Sequence, residues 1–260
     1  MTTFVDGALA LAIDGDVATL AFDRPAKRNA IALAMWLALP EACAAFTASA
    51  AKVLIVTGRG GHFAAGADIG EFEAVYATSQ SAADYNAAVA GGVGAIAGLE
   101  KPVLAAIEGA CVGGGLAIAL ACDLRIAAPN ARLAITPAKL GLTYSLEDTK
   151  RLVDAVGASA ARDILFTGRL LGADEALRLG LVDAVEADTH AAAATKAAEI
   201  AAASQRSVRA IKATIRAILA GAVEDDAATR AAFVESVSGP DFIEGRSAFL
   251  QKRKAVFPER

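Results

Sequence analysis

Apolar and polar residues fall in blocks along the chain, and the block pattern predicts a mixed α/β fold. Apolar runs at 4–13 and 17–23 flank Asp14-Gly15-Asp16 and predict a hairpin closed by a short glycine-containing loop. After the break at Arg24–Asn29, residues 31–50 are apolar on most sides, which predicts a buried helix. Val53–Thr57 is a β-branched run stopped by Gly58, the signature of a strand buried on both faces. Pro102–Ile107 repeats that design. Gly109–Gly115 then leads into an apolar helix at Leu116–Ala121, with a third short strand at Leu124–Ala128. Strand, glycine-rich loop and helix therefore recur at a spacing of roughly fifty residues, as stacked β/α turns without a sequence repeat.

Beyond Gly141 the pattern turns helical. Ala173–Leu179 has an acidic start at Asp174-Glu175 and a stop at Gly180. Residues 191–220 predict one or two helices with Val208, Ile211, Ile215, Ile218 and Leu219 on one face, against Arg209, Lys212 and Arg216. No Pro/Ser-rich linker precedes this tail, so it is expected to pack on the main domain or on a neighbouring subunit.

Composition narrows the class. The 260 residues suit one large domain, or a domain with an appendage, and need no disulfide staples. The apolar fraction is 55% but aromatics are only 5%, so the excess is largely alanine and reads as close helix packing. The longest uncharged apolar stretch, Gly109–Cys122, falls short of the about 20 residues that cross a bilayer. An early Asp6 and the lack of an apolar block argue against an export signal. Cys43, Cys111 and Cys122 have no CxxC spacing and are expected as reduced, buried thiols of a cytoplasmic protein. Two histidines, His62 and His190, make no metal site, and a net charge of −4 offers no field for nucleic acid. Any anionic ligand must be met locally.

The two glycine-rich loops are the local candidates. Each follows a buried strand and opens a predicted helix, where backbone N–H groups lack intrahelical partners and face the positive end of the helix dipole. Such amides bind a phosphate or stabilise negative charge on a carbonyl oxygen; tight strand–helix packing is the plain structural alternative. Neither loop carries GxxxxGK[ST] or GxGxxG, and the chain has no GxSxG elbow.

The wording of the loops is more specific. Gly58-Arg59-Gly60-Gly61-His62-Phe63-Ala64-Ala65-Gly66-Ala67-Asp68-Ile69, with Ile107–Gly115 and Ala119–Leu124, closely resembles the enoyl-CoA hydratase/isomerase (crotonase) family. Asp23–Ala30, Gly172–Asp183 and Glu244–Phe257 are similar to further motifs of that family, so the resemblance spans nearly the whole chain. It implies an α/β spiral of repeated ββα turns with a helical C-terminal trimerisation region. Residues 1–195 would form the spiral core and 196–260 the helical region, assembled as homotrimers or dimers of trimers. It implies an oxyanion hole from the N–H groups of Ala67 and Gly114. It also places Ala65, Ala67, Asp68 and Ile69 at the adenine pocket, with Lys27, Phe249 and Lys252 on the CoA nucleotide. Coenzyme A would then arrive as part of the thioester substrate, with no separate cofactor and no metal.

The resemblance also has departures. Hydratases of the family use two glutamates; the matching positions are Ala117 and either Pro137 or Ala138. Losing an acid–base group costs about 10²–10⁴-fold. Glu147 or Asp148, at a predicted helix start, is the candidate replacement carboxylate, Glu147 being the choice of the two, since family isomerases manage with a single base. A helix-capping acid is its plain structural alternative. Tyr144 is a second proton-donor candidate or a structural tyrosine; Tyr76 and Tyr85 line an acyl pocket or fill core. Asp68 and Asp123 are expected to position backbone, Glu108 to end a strand at the surface or near the site, and His62 to face solvent. The resulting expectation is an acyl-CoA-binding enoyl-CoA isomerase or atypical hydratase. A catalytically impaired binding subunit and an acyl-CoA hydrolase or decarboxylase are the alternatives.

Overall fold

The computed structural model describes residues 1–257. Ten strands form two sheets. In chain order they are β1 (Thr2–Phe4), β2 (Leu9–Asp14), β3 (Val17–Phe22), β4 (Val53–Gly58), β5 (Val103–Ile107), β6 (Ala110–Val112), β7 (Leu124–Ala127), β8 (Arg132–Ala134), β9 (Leu171–Gly172) and β10 (Ala184–Val185). The larger sheet runs β1-β2-β3-β4-β5-β7-β10, and the smaller runs β6-β8-β9. In the larger sheet β1, β2 and β3 are antiparallel and every pairing from β3 to β10 is parallel; in the smaller, β6 pairs parallel and β9 antiparallel with β8.

The hairpin forms around Asp14-Gly15-Asp16, but the apolar run at 4–13 is two strands rather than one. Val5 and Asp6 take left-handed φ values of 52° and 51°, and β1 folds back on β2. Apolarity hides such a turn because Val5 still packs against the core.

Helices cover the large sheet on both faces. α1 (Leu33–Ala48) and α3 (Ser79–Ala97), separated by the single turn α2 (Phe72–Val75), lie on one face, and α7 (Thr189–Ala201) lies on the other. The strands show the two-residue period this demands. Leu54 and Val56 of β4, with Val103, Ala105 and Ile107 of β5, enter the main core; Val53, Ile55, Leu104 and Ala106 face α7. α7 meets them with Ala193, Ala197 and Ala201, four residues apart on one stripe. Part of the alanine excess is thus the flat face that seats a helix on a sheet. The expected boundary at residue 195 falls inside this helix.

The second glycine loop opens α4 (Gly114–Ala121), buried through its length. α5 (Leu146–Thr167) and α6 (Ala173–Arg178) follow, and α8 (Gln205–Leu219), α9 (Ala227–Ser238) and α10 (Pro240–Leu250) complete the chain. α8 docks by its basic row. Lys212 is buried and donates to the Asp123 carboxylate at 2.6 Å and to Lys101 O at 2.9 Å. Arg216 donates to the carbonyls of Ala97, Gly98 and Leu99, closing the C-terminus of α3, where cations are favoured. Its apolar row therefore faces outward, with Ile211 58% and Ile218 59% exposed.

Candidate active site

The site is built where the two glycine loops zip together. Phe63 N–H donates to Glu108 O, Ala64 N–H to Ala110 O, and Val112 N–H to Ala64 O, all within 3.0 Å. Gly66 then takes a left-handed φ of 103°, open to glycine at little cost. Past it, Gly66 O accepts from Ile31 N–H, and Asp68 N–H donates to Ile31 O. Because both neighbours of Ala67 pair with Ile31, Ala67 turns its own N–H to the opposite side, toward α4. Gly114 is the first residue of α4, a position whose N–H has no intrahelical acceptor. A Cβ on Gly114 would stand 3.8 Å from the Ala67 nitrogen but only 2.8 Å from Cζ2 of Trp36. The two amides are therefore neighbours, and glycine leaves the space between indole and backbone. Neither amide finds an acceptor among the described residues.

Both amides open on a cavity of about 580 Å³, largely apolar in its walls. Such a pair beside the positive end of a helix, in a site poor in water, can hold an oxygen that becomes negative. Phe72, Tyr76 and Tyr85 form one wall through edge-to-face contacts at 5.1 and 5.5 Å. Ala117, one turn along α4, and Pro137 also line it, so neither residue there supplies a carboxylate.

Glu147 and Asp148 bring the acidic groups of the lining to the start of α5, and the two are held differently. Asp148 is buried. It accepts from the Ser145 hydroxyl and from Arg151, each at 2.7 Å, while its own N–H donates to Ser145 Oγ. Ser145 is thus the N-cap of α5, and Asp148, in its first turn, is held by that cap and by Arg151. Glu147 has a side chain 71% exposed and meets Arg151 only at 3.5 Å. The Tyr144 hydroxyl is buried without a hydrogen-bond partner among the described residues; burial, reinforced by Asp148, pushes its ionisation up.

Comparison with known proteins settles the relationship. A model of the enoyl-CoA hydratase/isomerase family matches residues 12–260. The chain belongs to the enoyl-CoA hydratase/isomerase family. The crotonyl-CoA hydratase of Syntrophomonas wolfei is 35% identical over 246 residues, 93% of this chain and 94% of that protein. The 2,3-dehydroadipyl-CoA hydratase of Escherichia coli is 34% identical over 252 residues, 94% of this chain and 96% of the relative. Among solved structures, an enoyl-CoA hydratase/isomerase family protein from Hyphomonas neptunium superposes with a TM-score of 0.94 at 44% identity. It covers 97% of this chain and 98% of its own. The fold is thus that of the enoyl-CoA hydratase/isomerase family, a family of enzymes.

Within this family member, the residues expected at the nucleotide divide into two groups. Lys27 and Arg24 both reach the Asp68 carboxylate, at 2.8 and 3.0 Å, and so stand beside the Ala65–Ile69 segment. The Lys27 hydrogen bond foremost, with those from Arg24 and the Gly70 N–H, holds the Asp68 carboxyl below its usual range against the effect of burial. Phe249 and Lys252, at the end of α10, are exposed and do not line the cavity of their own chain.

Other expectations shift. His62 does not simply face solvent; its Nδ1 accepts from Ala110 N–H at 3.1 Å and ties one glycine loop to the other. Glu108 meets His190 at 3.4 Å and does not line the cavity. Asp123 positions backbone as expected, accepting from Val103 N–H at 2.7 Å. All three thiols are buried, and burial pushes Cys43 up to about 12. In the sequence Asn29 stands only as part of a motif, with no role of its own. It is fully buried in a left-handed conformation, accepts from Arg24 N–H, and donates to the carbonyls of Arg59 and His62. The Arg24–Asn29 break that precedes α1 was its signal, since asparagine tolerates that conformation where branched residues do not.

Proposed function

We propose that the chain binds an enoyl-CoA thioester, holds its carbonyl oxygen between the amides of Ala67 and Gly114, and moves its double bond with Glu147 as the single base. The observation that carries this reading is the pair of amides without an acceptor on an apolar cavity where, among the described residues, Glu147 is the carboxylate left unclamped. Glu147 takes a proton from C2 of a 3-enoyl thioester, and the electron pair moves onto the thioester oxygen between the two amides. When the enolate collapses, the same proton returns at C4 and the double bond lies between C2 and C3. Net addition of water needs a second positioned acid–base group, and the cavity offers alanine at 117 and proline at 137. The names of the relatives supply the substrate class, unsaturated acyl-CoA esters. Coenzyme A enters as part of the substrate, with the nucleotide against Ala65–Ile69 and Lys27. Phe249 and Lys252 reach the nucleotide from a neighbouring subunit of a homotrimer or dimer of trimers. The setting is cytoplasmic.

The test is turnover of 3-enoyl-CoA by the full chain and by Glu147→Gln, with acyl-CoA binding measured beside it. The expected result is a loss of about 10²–10⁴-fold in turnover with binding kept. Unchanged turnover overturns Glu147 as the base. A wild-type chain that binds but converts no saturated, 2-enoyl, 3-enoyl or malonyl-type thioester is a binding subunit instead.

A further inference from the structure

The aromatic end of the cavity holds a polar group that double-bond migration leaves idle. Tyr85, on α3, is 3% exposed and lines the cavity. Trp36 lines the same cavity and brings its indole N–H close to that hydroxyl; the N–H is itself buried and without a hydrogen-bond partner among the described residues. The O–H proton of Tyr85 thus has a donor beside it and no acceptor among the described residues. Burial pushes the phenol up to about 12, so it stays protonated and donates. The Trp36 N–H is a buried donor left unmatched, and the Tyr85 hydroxyl opens on the cavity with no hydrogen bond among the described residues, so an acceptor oxygen placed there would be held by a donor now unused.

The position of that corner limits the ligand. Trp36 abuts Gly114, so the Tyr85–Trp36 pair lies near the amides that hold the carbonyl. An oxygen reaching it belongs to the acyl chain, a few carbons from the thioester. Charge limits the ligand further. Arg151 is the cation of the lining, and Asp148 already holds it at 2.7 Å. A carboxylate would find no free positive charge there, whereas a neutral oxygen needs only a donor.

We propose that Tyr85 is a substrate-selecting donor, and that the acyl chain taken by this site carries an uncharged keto or hydroxyl oxygen a few carbons from the thioester. This rests on the acyl-CoA reading above. Three non-reacting thioesters of equal chain length test it by calorimetry on the full chain: pentanoyl-CoA, 4-oxopentanoyl-CoA and glutaryl-CoA. The wild type is expected to prefer 4-oxopentanoyl- over pentanoyl-CoA by about 5- to 10-fold, one hydrogen bond's worth, and to disfavour glutaryl-CoA. In Tyr85→Phe the preference ratio should fall close to one. Pentanoyl-CoA binding by the variant reports that the site has kept its shape. A preference that survives in Tyr85→Phe overturns the proposal, as does a variant that binds nothing, which makes Tyr85 structural. Tighter binding of glutaryl-CoA overturns the uncharged class. Wild-type binding of pentanoyl-CoA without discrimination overturns this proposal alone, while failure to bind all three overturns the acyl-CoA reading with it.

Discussion

A single missing Cβ determines whether the two amides can work together. At Gly114 an added methyl would stand 2.8 and 3.0 Å from two ring carbons of Trp36, a fully buried side chain. Gly114→Ala must therefore displace the indole or the first turn of α4. Overpacking of this kind costs about 1–3 kcal/mol, or about 3–8 °C in Tm for a chain of this size. Misplacing one oxyanion donor costs about 10²–10³-fold in turnover. Both losses are expected together, measured by thermal melts and by thioester turnover. Gly91→Ala is the control: nothing lies within 4 Å of its added Cβ, and it should melt no lower than wild type. At this scale the sequence was half legible. The glycines of 113–115 announced a backbone approach, which Gly115 makes to Ala64, but what Gly114 approaches is Trp36, from a helix nearly eighty residues earlier. Periodicity reports that such a residue is buried, not which loop it touches. The same holds for Tyr85, whose idle hydroxyl is visible only once its neighbours are known.

Between elements, the segment before α1 and the segment after β4 are joined by charge as well as by backbone pairing. Asp68 collects Lys27, Arg24 and the Gly70 N–H, and its carboxyl is held below the ordinary value of 3.8. A carboxyl lowered by folding adds stability that is present in full above its unfolded value and lost as pH falls through the folded one. Asp68→Asn should thus lower Tm by about 3–6 °C at neutral pH, and the gap to wild type should narrow below about pH 4. Melts across that range decide it; a gap that stays constant with pH would show that Asp68 acts by shape alone. The strands of this region were readable as unbroken apolar runs, because β4 and β5 must feed apolar residues to both faces of the sheet. The turn at Val5–Asp6 was not, since its residues are no less apolar or polar than those of a strand. Nor was the tie made by His62: a histidine in a glycine-rich loop gives no sign that its Nδ1 will accept a backbone N–H.

For the molecule as a whole, the telling feature is the inverted C-terminal region. An amphipathic helix on a globular domain normally hides its apolar stripe, yet α8 seats Lys212 and Arg216 on the core and turns Ile211, Ile215 and Ile218 outward. The inversion is stable because the basic row meets obligatory acceptors, the Asp123 carboxylate and the last carbonyls of α3. The sequence displayed both rows of α8 but not their direction, which depends on where those carbonyls end. α9 and α10 add Phe233 at 72% exposure, with Val234, Phe242 and Ile243 also exposed. A surface of this kind is more extensive than monomers usually leave in water, and it lies in the region through which the chain is proposed to form trimers. Sedimentation velocity should therefore find three or six chains in one particle. Phe233→Asp places a charge on that surface and should shift the population to single chains, with the near-ultraviolet spectrum of Trp36 unchanged because that residue lies in the core. A wild-type chain that sediments as a monomer at micromolar concentration would remove the trimer, and with it the neighbour's Phe249 and Lys252 from the nucleotide site.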